Sequence, residues 1–234
     1  MTPDQLFGLT DTHLASWTDT RIGAGKIWRL HRDAVSSWQA MVDAAQRDGV
    51  CLLPVSTFRD FSRQQLIWNE KFNGLRPVHD DEGRSLKRAE FSDADWLHKV
   101  LRYSALPGLS RHHWGTEIDV FDGDAIQRGI RPQLLPSEFC AGGPCGDLND
   151  WLSQHAGQYG FFRPYRHDNG GIAPEPWHLS FAPVSRHLPA EFPRAALQEL
   201  LRQNDIAGLA LVLAQFDAIF ERYANTLCPE FEPG

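Results

Sequence analysis

Four residues in two short segments have the types and order of a hydrolytic metal site. The first segment contains His112 and Asp119, and the second contains Glu175 and His178. Two neutral imidazoles and one carboxylate suit Zn²⁺, and a fourth position left open for water makes such a site catalytic. Water bound to zinc can be a hydroxide near neutral pH. We therefore predict one zinc ion per chain, with Glu175 as a carboxylate base and hydrolysis as the chemistry.

The composition favours one sizeable core and argues against nucleic acid or membrane as a partner. The chain has 234 residues, 42% of them hydrophobic, and a net charge of −7. It has no long basic run and no apolar run near 20 residues. The first residues include Asp4 and Asp11 without a continuous apolar stretch, which is unlike a secretory signal. We therefore expect a cytoplasmic protein.

The elements that must position these residues are short and of both kinds. Helical spacing or capping signals predict helices at 30–48, from the capping box at Ser62 to Asn73, after Ser92, and at 148–158. Short apolar runs predict strands at 51–55, at 118–121 and after Tyr159, and residues 75–91 are expected to form a mobile excursion. Irregularly mixed strands and helices predict an α+β fold with an antiparallel sheet.

The character of the chain changes after Pro183. An apolar stripe at helical spacing predicts an all-helical segment, and it comprises Leu209, Leu213, Phe216, Phe220 and Tyr223. We therefore divide the chain into a catalytic domain, residues 1–185, and a helical C-terminal extension, residues 186–234. The stripe must be buried, either against the catalytic domain or in a homodimer contact through these helices.

The two segments resemble those of VanY-type D-alanyl-D-alanine carboxypeptidases and their LD-carboxypeptidase relatives, which are zinc peptidases of the LAS group. That family has Ser-x-His-x-x-Gly-x-x-x-Asp followed by Glu-x-x-His, often as Glu-Pro-Trp-His. Here the first pattern runs from Ser110 to Asp119 and the second from Glu175 to His178. The likeness covers residues 30–184. It implies a small antiparallel sheet flanked by helices, with His112, Asp119 and His178 as the zinc ligands.

The resemblance also implies roles for residues around the metal. Glu175 would be the general base, or else a carboxylate that orients His178. Arg59 would stabilise a developing oxyanion and bind the substrate carboxylate, unless it is a surface residue paired with Asp60.

Three further residues, Gln65, Ser110 and Trp177, are candidates for substrate binding. Capping and turn roles are equally good for Gln65 and Ser110, and Trp177 is expected to wall the site rather than to touch the substrate.

Two residues depart from the pattern or compete with it. Glu117 stands where many relatives have a small residue, so it either raises the basicity of the site or points away along a strand. His113 is a rival ligand beside His112, but on a strand or extended loop its side chain would point the other way. Cys140 and Cys145 bracket a loop and are expected to be free thiols, although a disulfide or a minor metal site is open.

The resemblance implies removal of a terminal D-alanine from peptidoglycan stem peptides. The expected cytoplasmic location favours LD-carboxypeptidase activity on tetrapeptides in wall recycling, because cytoplasmic DD-activity would destroy the pentapeptide precursor. The alternatives are a DD-carboxypeptidase on pentapeptides, a peptidoglycan endopeptidase and a non-catalytic zinc-binding module. The expected partners are therefore peptidoglycan-derived peptides or muropeptides.

Overall fold

The computed structural model describes residues 1–19, 25–187 and 192–228. Its strands are β1 Leu14–Asp19, β2 Lys26–His31, β3 Leu52–Ser56, β4 Glu117–Asp122, β5 Phe161–Phe162 and β6 His178–Phe181. Its α-helices are α1 Pro3–Leu6, α2 Val35–Arg47, α3 Phe61–Phe72, α4 Asp93–Leu101, α5 Gly123–Gln127, α6 Gly146–His155, α7 Ala182–Ser185, α8 Arg194–Arg202, α9 Leu209–Ala214 and α10 Phe216–Ile219. The predicted α+β fold is confirmed.

A four-stranded antiparallel sheet carries both sequence segments. Its strand order is β3-β4-β6-β5, so β4 and β6 are the two inner strands. Asp119 lies opposite His178 in the register, and Glu117 lies opposite Ser180. Since side chains two residues apart on a strand share a face, all four of these residues are on one side of the sheet. Pro54 lies in β3, an edge strand of this sheet, where a residue without a backbone N–H is tolerated.

A separate β1–β2 hairpin lies ahead of α2 and was not predicted. The helix expected at 30–48 begins later than expected, with a 3-10 turn at Arg32–Ala34 that leads into α2. Residues up to His31 belong to β2, and the His31 N–H donates to the Gly115 carbonyl at 2.7 Å. The hairpin therefore fixes the turn that precedes β4.

The start of α3 corrects the predicted capping box. The N-cap is Asp60, whose carboxylate accepts from the Arg63 N–H at 2.7 Å, and Ser62 lies inside the first turn. The Ser62 hydroxyl donates to the same carboxylate at 2.9 Å. An acidic side chain one residue before the helix is the stronger cap, because it bears the charge that the helix N-terminus favours.

The described residues form two apolar cores, and the central sheet contributes to one of them. One combines α2, α6 and the sheet, with Trp38 and Phe121 fully enclosed. The other combines α3 and α4 with the C-terminal helices, and Trp68 of α3 and Phe216 of α10 are both in it. The division at residue 185 stays a prediction, and the helices after it share a core with α3 and α4.

The apolar stripe of the C-terminal helices is covered largely by the chain itself. Phe216, Phe220 and Tyr223 are all buried in the shared core. The homodimer stays a prediction. An uncovered apolar stripe would have supported it, but this stripe is largely covered within the chain. Within the described ranges, none of the helices combines the length and apolar character needed to span a bilayer.

Candidate metal centre and active site

Three different elements bring the predicted metal ligands together. His112 lies in a 3-10 turn, Arg111–Trp114, immediately before β4, and Asp119 is in the middle of β4. His178 is the first residue of β6, directly opposite Asp119. The turn ends at Gly115, whose φ of 70° is in the left-handed region that favours glycine. All three ligand side chains are buried.

The ligand atoms have the spacing of a tetrahedral metal site. Asp119 Oδ2 is 3.3 Å from His112 Nε2, and Asp119 Oδ1 is 3.2 Å from His178 Nδ1. One atom from each residue can be chosen so that all lie within 4.8 Å of one another. Nitrogen and oxygen ligands about 2.1 Å from one zinc ion, at tetrahedral angles, are about 3.4 Å apart. The three residues therefore fit a single small divalent cation.

Hydrogen bonds select opposite ring nitrogens of the two histidines for the metal. His112 Nδ1 donates to the Thr57 carbonyl at 2.7 Å, which leaves Nε2 free as a ligand. His178 Nε2 is 2.8 Å from a carboxylate oxygen of Glu117, which leaves Nδ1 facing Asp119. A carboxylate or carbonyl on the far nitrogen is the usual way that a ligand imidazole is held in one tautomer and orientation.

Glu117 points into the site rather than away from it. It is fully buried, and its second carboxylate oxygen accepts from Arg111 at 3.1 Å and from Ser180 at 2.7 Å. Burial alone would raise the pKa of Glu117, but the Arg111 charge and the His178 hydrogen bond lower it to about 2. Glu117 is therefore ionised and orients His178, and the alternative that it points away is wrong.

The electrostatics of the cluster favour a cation at its centre. Burial would raise the pKa of Asp119, but the two imidazoles hold it well below its usual range. Burial lowers the pKa of His112, whereas Asp119, Glu117 and Glu175 together hold the pKa of His178 well above its usual value despite burial. Asp119 Oδ1 is buried and accepts no hydrogen bond from the described residues. A bound metal ion would satisfy that oxygen.

His113 is not available as a ligand. Its Nδ1 donates to the Arg59 carbonyl at 2.6 Å, and its Nε2 accepts from the Gly108 N–H at 3.0 Å. The expected strand or extended loop is in fact a 3-10 turn, in which successive side chains diverge around an axis. His113 therefore ties the turn to the segment before α3.

Glu175 lies beside the predicted metal position. Its Oε2 is 3.2 Å from His178 Nδ1, and its side chain is 14% exposed, so water can reach it. Its backbone N–H donates to the Tyr165 carbonyl at 2.9 Å, which fixes the segment before β6. The carboxylate contacts the ligand nitrogen of His178, whereas Glu117 holds the opposite nitrogen. Because Glu117 already orients that ring, the orienting alternative for Glu175 loses support, and its role as general base stays a prediction.

Arg59 reaches the same centre from the loop between β3 and α3. One guanidinium nitrogen donates to Gln64 at 2.8 Å, and another donates to Ser56 at 3.1 Å and lies 3.6 Å from Asp119. Burial lowers the pKa of Arg59, and Asp119 counters that effect. Asp60 is the α3 cap, so the alternative of an Arg59–Asp60 surface pair is wrong.

Gln65 does not reach the site, and this candidate for substrate binding is corrected. Its side chain donates to the Asp205 carbonyl at 2.8 Å, on the outer face of α3. The preceding residue, Gln64, is fully buried and holds Arg59 while donating to the Ala105 carbonyl at 2.7 Å. One residue is a rotation of about 100° on a helix, so the neighbouring glutamine faces the opposite environment.

Ser110 and Trp177 do line the site cavity, as expected. The cavity has a volume of about 430 Å³ and is bordered by all three ligands, Glu175 and Arg59. Trp177 is buried against Phe139, with ring centroids 5.8 Å apart, so it forms a wall. Their contact with a substrate stays a prediction.

Sequence reasoning missed other residues of the cavity. Tyr165 packs on the His178 ring with centroids 5.0 Å apart, and Lys71 of α3 and Arg76 line the wall near Glu175. No motif marks these residues. The cysteines of the 140–145 loop are free in the structure, with Cys140 exposed and Cys145 buried.

The matching family model is that of VanY, D-alanyl-D-alanine carboxypeptidase, and it covers residues 28–184. The chain belongs to the VanY family. The predicted membership of this group of metallo-carboxypeptidases is therefore confirmed, and the match stops close to the end of β6 and α7. It leaves the helices α8 to α10 outside.

Two curated proteins are similar to parts of this chain. An uncharacterised protein of Haemophilus influenzae is 42% identical over 106 residues, 45% of this chain and 70% of that protein. A D-alanyl-D-alanine carboxypeptidase of Enterococcus faecalis is 26% identical over 149 residues, 62% of this chain and 46% of that protein. The chain thus spans about half the length of this second relative.

A solved VanY structure shares the fold. It is a D,D-pentapeptidase variant from a VanB-type vancomycin resistance cassette in complex with Zn(II), with a TM-score of 0.50 and 22% identity. The match covers 74% of this chain and 82% of that chain. A VanYB structure in complex with D-alanine-D-alanine has the same TM-score and identity, over 73% of this chain and 80% of that one.

Proposed function

We propose that this chain is a zinc-dependent carboxypeptidase that removes the terminal D-alanine from peptidoglycan stem peptides. The observation that carries the proposal is the convergence of His112, Asp119 and His178 on one point, with Glu175 3.2 Å from a ligand nitrogen. Membership of the VanY family and the zinc-bound and D-alanine-D-alanine-bound relatives support the metal and the substrate.

The chemistry divides between the metal and the residues around it. Zinc, when bound, lowers the pKa of a coordinated water and polarises the scissile carbonyl. Glu175 accepts the proton of the attacking water and returns it to the leaving amine. Arg59 stabilises negative charge on the substrate, either on the carbonyl oxygen as it is attacked or on the terminal carboxylate. Gln64 and Ser56 hold the guanidinium in position for this role.

We propose LD-carboxypeptidase activity on tetrapeptides as the finer specificity. In a tetrapeptide the residue before the scissile bond is a diamino acid, whereas in a pentapeptide it is D-alanine, which has no polar side chain. The cavity wall beside Glu175 carries charged side chains, among them Lys71 and Arg76, and this supports a polar neighbour at the scissile bond. The cytoplasmic location and the role in wall recycling stay predictions.

The deciding experiment is incubation with tetrapeptide and pentapeptide muropeptides, analysed by mass spectrometry. Zinc-loaded protein should release one alanine from the tetrapeptide, and chelator should abolish the release. Loss of alanine only from the pentapeptide would show DD-specificity instead. Cleavage within the stem or at a cross-link would show an endopeptidase, and no cleavage of any substrate would favour a zinc-binding module.

A further inference from the structure

Lys71 is a cationic side chain of the catalytic cavity with an incomplete set of partners. It lies near the end of α3 and borders the same cavity as Glu175 and the metal ligands. Its Nζ donates to the Tyr103 carbonyl at 3.2 Å. An ammonium group has three donors, so this one bond, the only one among the described residues, leaves two donors for another acceptor.

The other cationic side chains that border the cavity have acidic partners. Arg59 is 3.6 Å from Asp119, and Arg111 is 3.1 Å from Glu117. Arg76 donates through two nitrogens to one oxygen of Glu70, and Asp80 is paired with Arg84. These pairs neutralise most of the charge along the wall.

Lys71 differs from these residues. Among the residues that the structure describes, no carboxylate lies within 4 Å of its ammonium group, so a carboxylate entering the cavity would meet a cation not already paired.

The surroundings of Lys71 disfavour its protonated, charged form. Burial lowers its pKa to about 8, although the nearby charge of Glu175 favours the protonated form. Arg59 and Arg76 oppose that form through like-charge repulsion. A lysine kept at a position that penalises its charge, in a cleft beside a general base, is typical of a functional group rather than of a structural one.

We propose that Lys71 is a carboxylate-binding point of the cavity, in addition to Arg59, and that it holds a carboxylate of the substrate. This inference rests on the proposed function. A stem peptide offers two carboxylates that Lys71 can bind. One is the terminal carboxylate of the leaving D-alanine, and the other is the side-chain carboxylate of a diamino acid at the preceding position.

Substrate analogues can separate the two sources. We would measure KM and kcat of the zinc-loaded full chain on two tetrapeptides that differ only at the third residue. One has a diamino acid that carries a side-chain carboxylate, and the other has lysine, which lacks it. The variants are Lys71→Met, which removes the charge, and Lys71→Arg, which keeps it. Lys87→Met is the matched control, since Lys87 is 82% exposed and does not border the cavity.

A lost charge-assisted hydrogen bond corresponds to a roughly 10- to 100-fold change in affinity. We expect Lys71→Met to raise KM by about that factor, with kcat within about threefold, and Lys71→Arg to recover most of the loss. An increase confined to the carboxylate-bearing substrate assigns the side-chain source. An equal increase on both substrates assigns the terminal carboxylate. Binding of the same peptides and their C-terminal amides to inactive Glu175→Gln protein, by calorimetry, checks that assignment.

Three results would overturn the inference, and they are distinguishable. If wild-type protein cleaves the peptides and Lys71→Met behaves like Lys87→Met on both, Lys71 does not bind a carboxylate. If wild-type protein neither cleaves nor binds any of the peptides, the proposed function fails and the inference fails with it. A fall in kcat with KM unchanged would instead place Lys71 in the chemical step and also contradict the proposal.

Discussion

Replacement of Glu117 by alanine should lower both the free energy of unfolding of the chain and its affinity for zinc. The Glu117 carboxylate is the acidic partner of Arg111, whose side chain is only 5% exposed. At a separation of 3.1 Å the pair interacts by about 5 kcal/mol at an effective dielectric of about 20. Breaking a buried pair by removing one member costs about 3–5 kcal/mol, because the remaining charge is left unpaired.

The same substitution frees the far nitrogen of His178. Loss of an orienting carboxylate costs about 10- to 100-fold in metal affinity. Glu117→Gln should separate the two effects, because its amide oxygen can still accept from His178 Nε2 while the charge that pairs with Arg111 is gone. We therefore expect Glu117→Gln to recover much of the zinc affinity and little of the stability. A second substitution, Arg111→Met, should restore stability in the Glu117→Gln background.

Two assays measure these effects independently. Urea unfolding in the presence of chelator gives the free energy of unfolding without metal, and competition with a chromophoric chelator gives zinc affinity. Glu199→Gln is the control, because Glu199 is 58% exposed. If Glu117→Ala and Glu117→Gln both unfold within about 0.5 kcal/mol of wild type and bind zinc within twofold of it, the network does not orient His178.

Four further predictions test other parts of the structure. Glu175→Gln should retain zinc, measured by atomic absorption, while turnover falls about 10²- to 10⁴-fold; loss of zinc would favour an orienting role. KM for a carboxylate substrate should rise as pH increases through about 8, where Lys71 deprotonates, and Lys71→Arg should flatten that profile; an unchanged profile would contradict the Lys71 assignment. Gly115→Ala should lower the free energy of unfolding by more than about 1 kcal/mol, since its φ is 70° and the new Cβ would lie 2.3 Å from Leu14 and 2.8 Å from the His31 backbone; a neutral effect would show that the turn relaxes. Free zinc at about 100 times its Kd should stabilise the protein by about 2.7 kcal/mol over the chelated form, and an unshifted unfolding curve would mean that the metal does not bind the folded state.

The sequence was sufficient to predict the type of fold, and the three predicted ligands lie together in the structure. His112, Asp119, Glu175 and His178 are all of the residue types that the chemistry needs, and their order along the chain matches the family pattern. The role of Glu117 was also within reach. It lies two residues before Asp119 and directly before the strand predicted at 118–121, and extending that strand by one residue places both side chains on the same face.

Other features depend on contacts that a single sequence does not reveal. Gln64 and Gln65 are chemically identical neighbours, and only the packing of α3 decides which one faces Arg59. No sequence motif marks Lys71. Its place in the cavity depends on where α3 passes and on the loop that brings the Tyr103 carbonyl to it. The β1–β2 hairpin was missed, and the helix predicted at 30–48 overlaps the end of its second strand.

Helix α3 links the cleft to a part of the chain that no family motif covers. Its outer face is bonded to the C-terminal segment through Gln65, Trp68 and Asn69, which contact the backbone of residues 205 and 207. Its inner face presents Lys71 to the cavity. A substitution in this C-terminal segment would therefore act on the position of Lys71 through α3, while every residue of the metal centre stays the same.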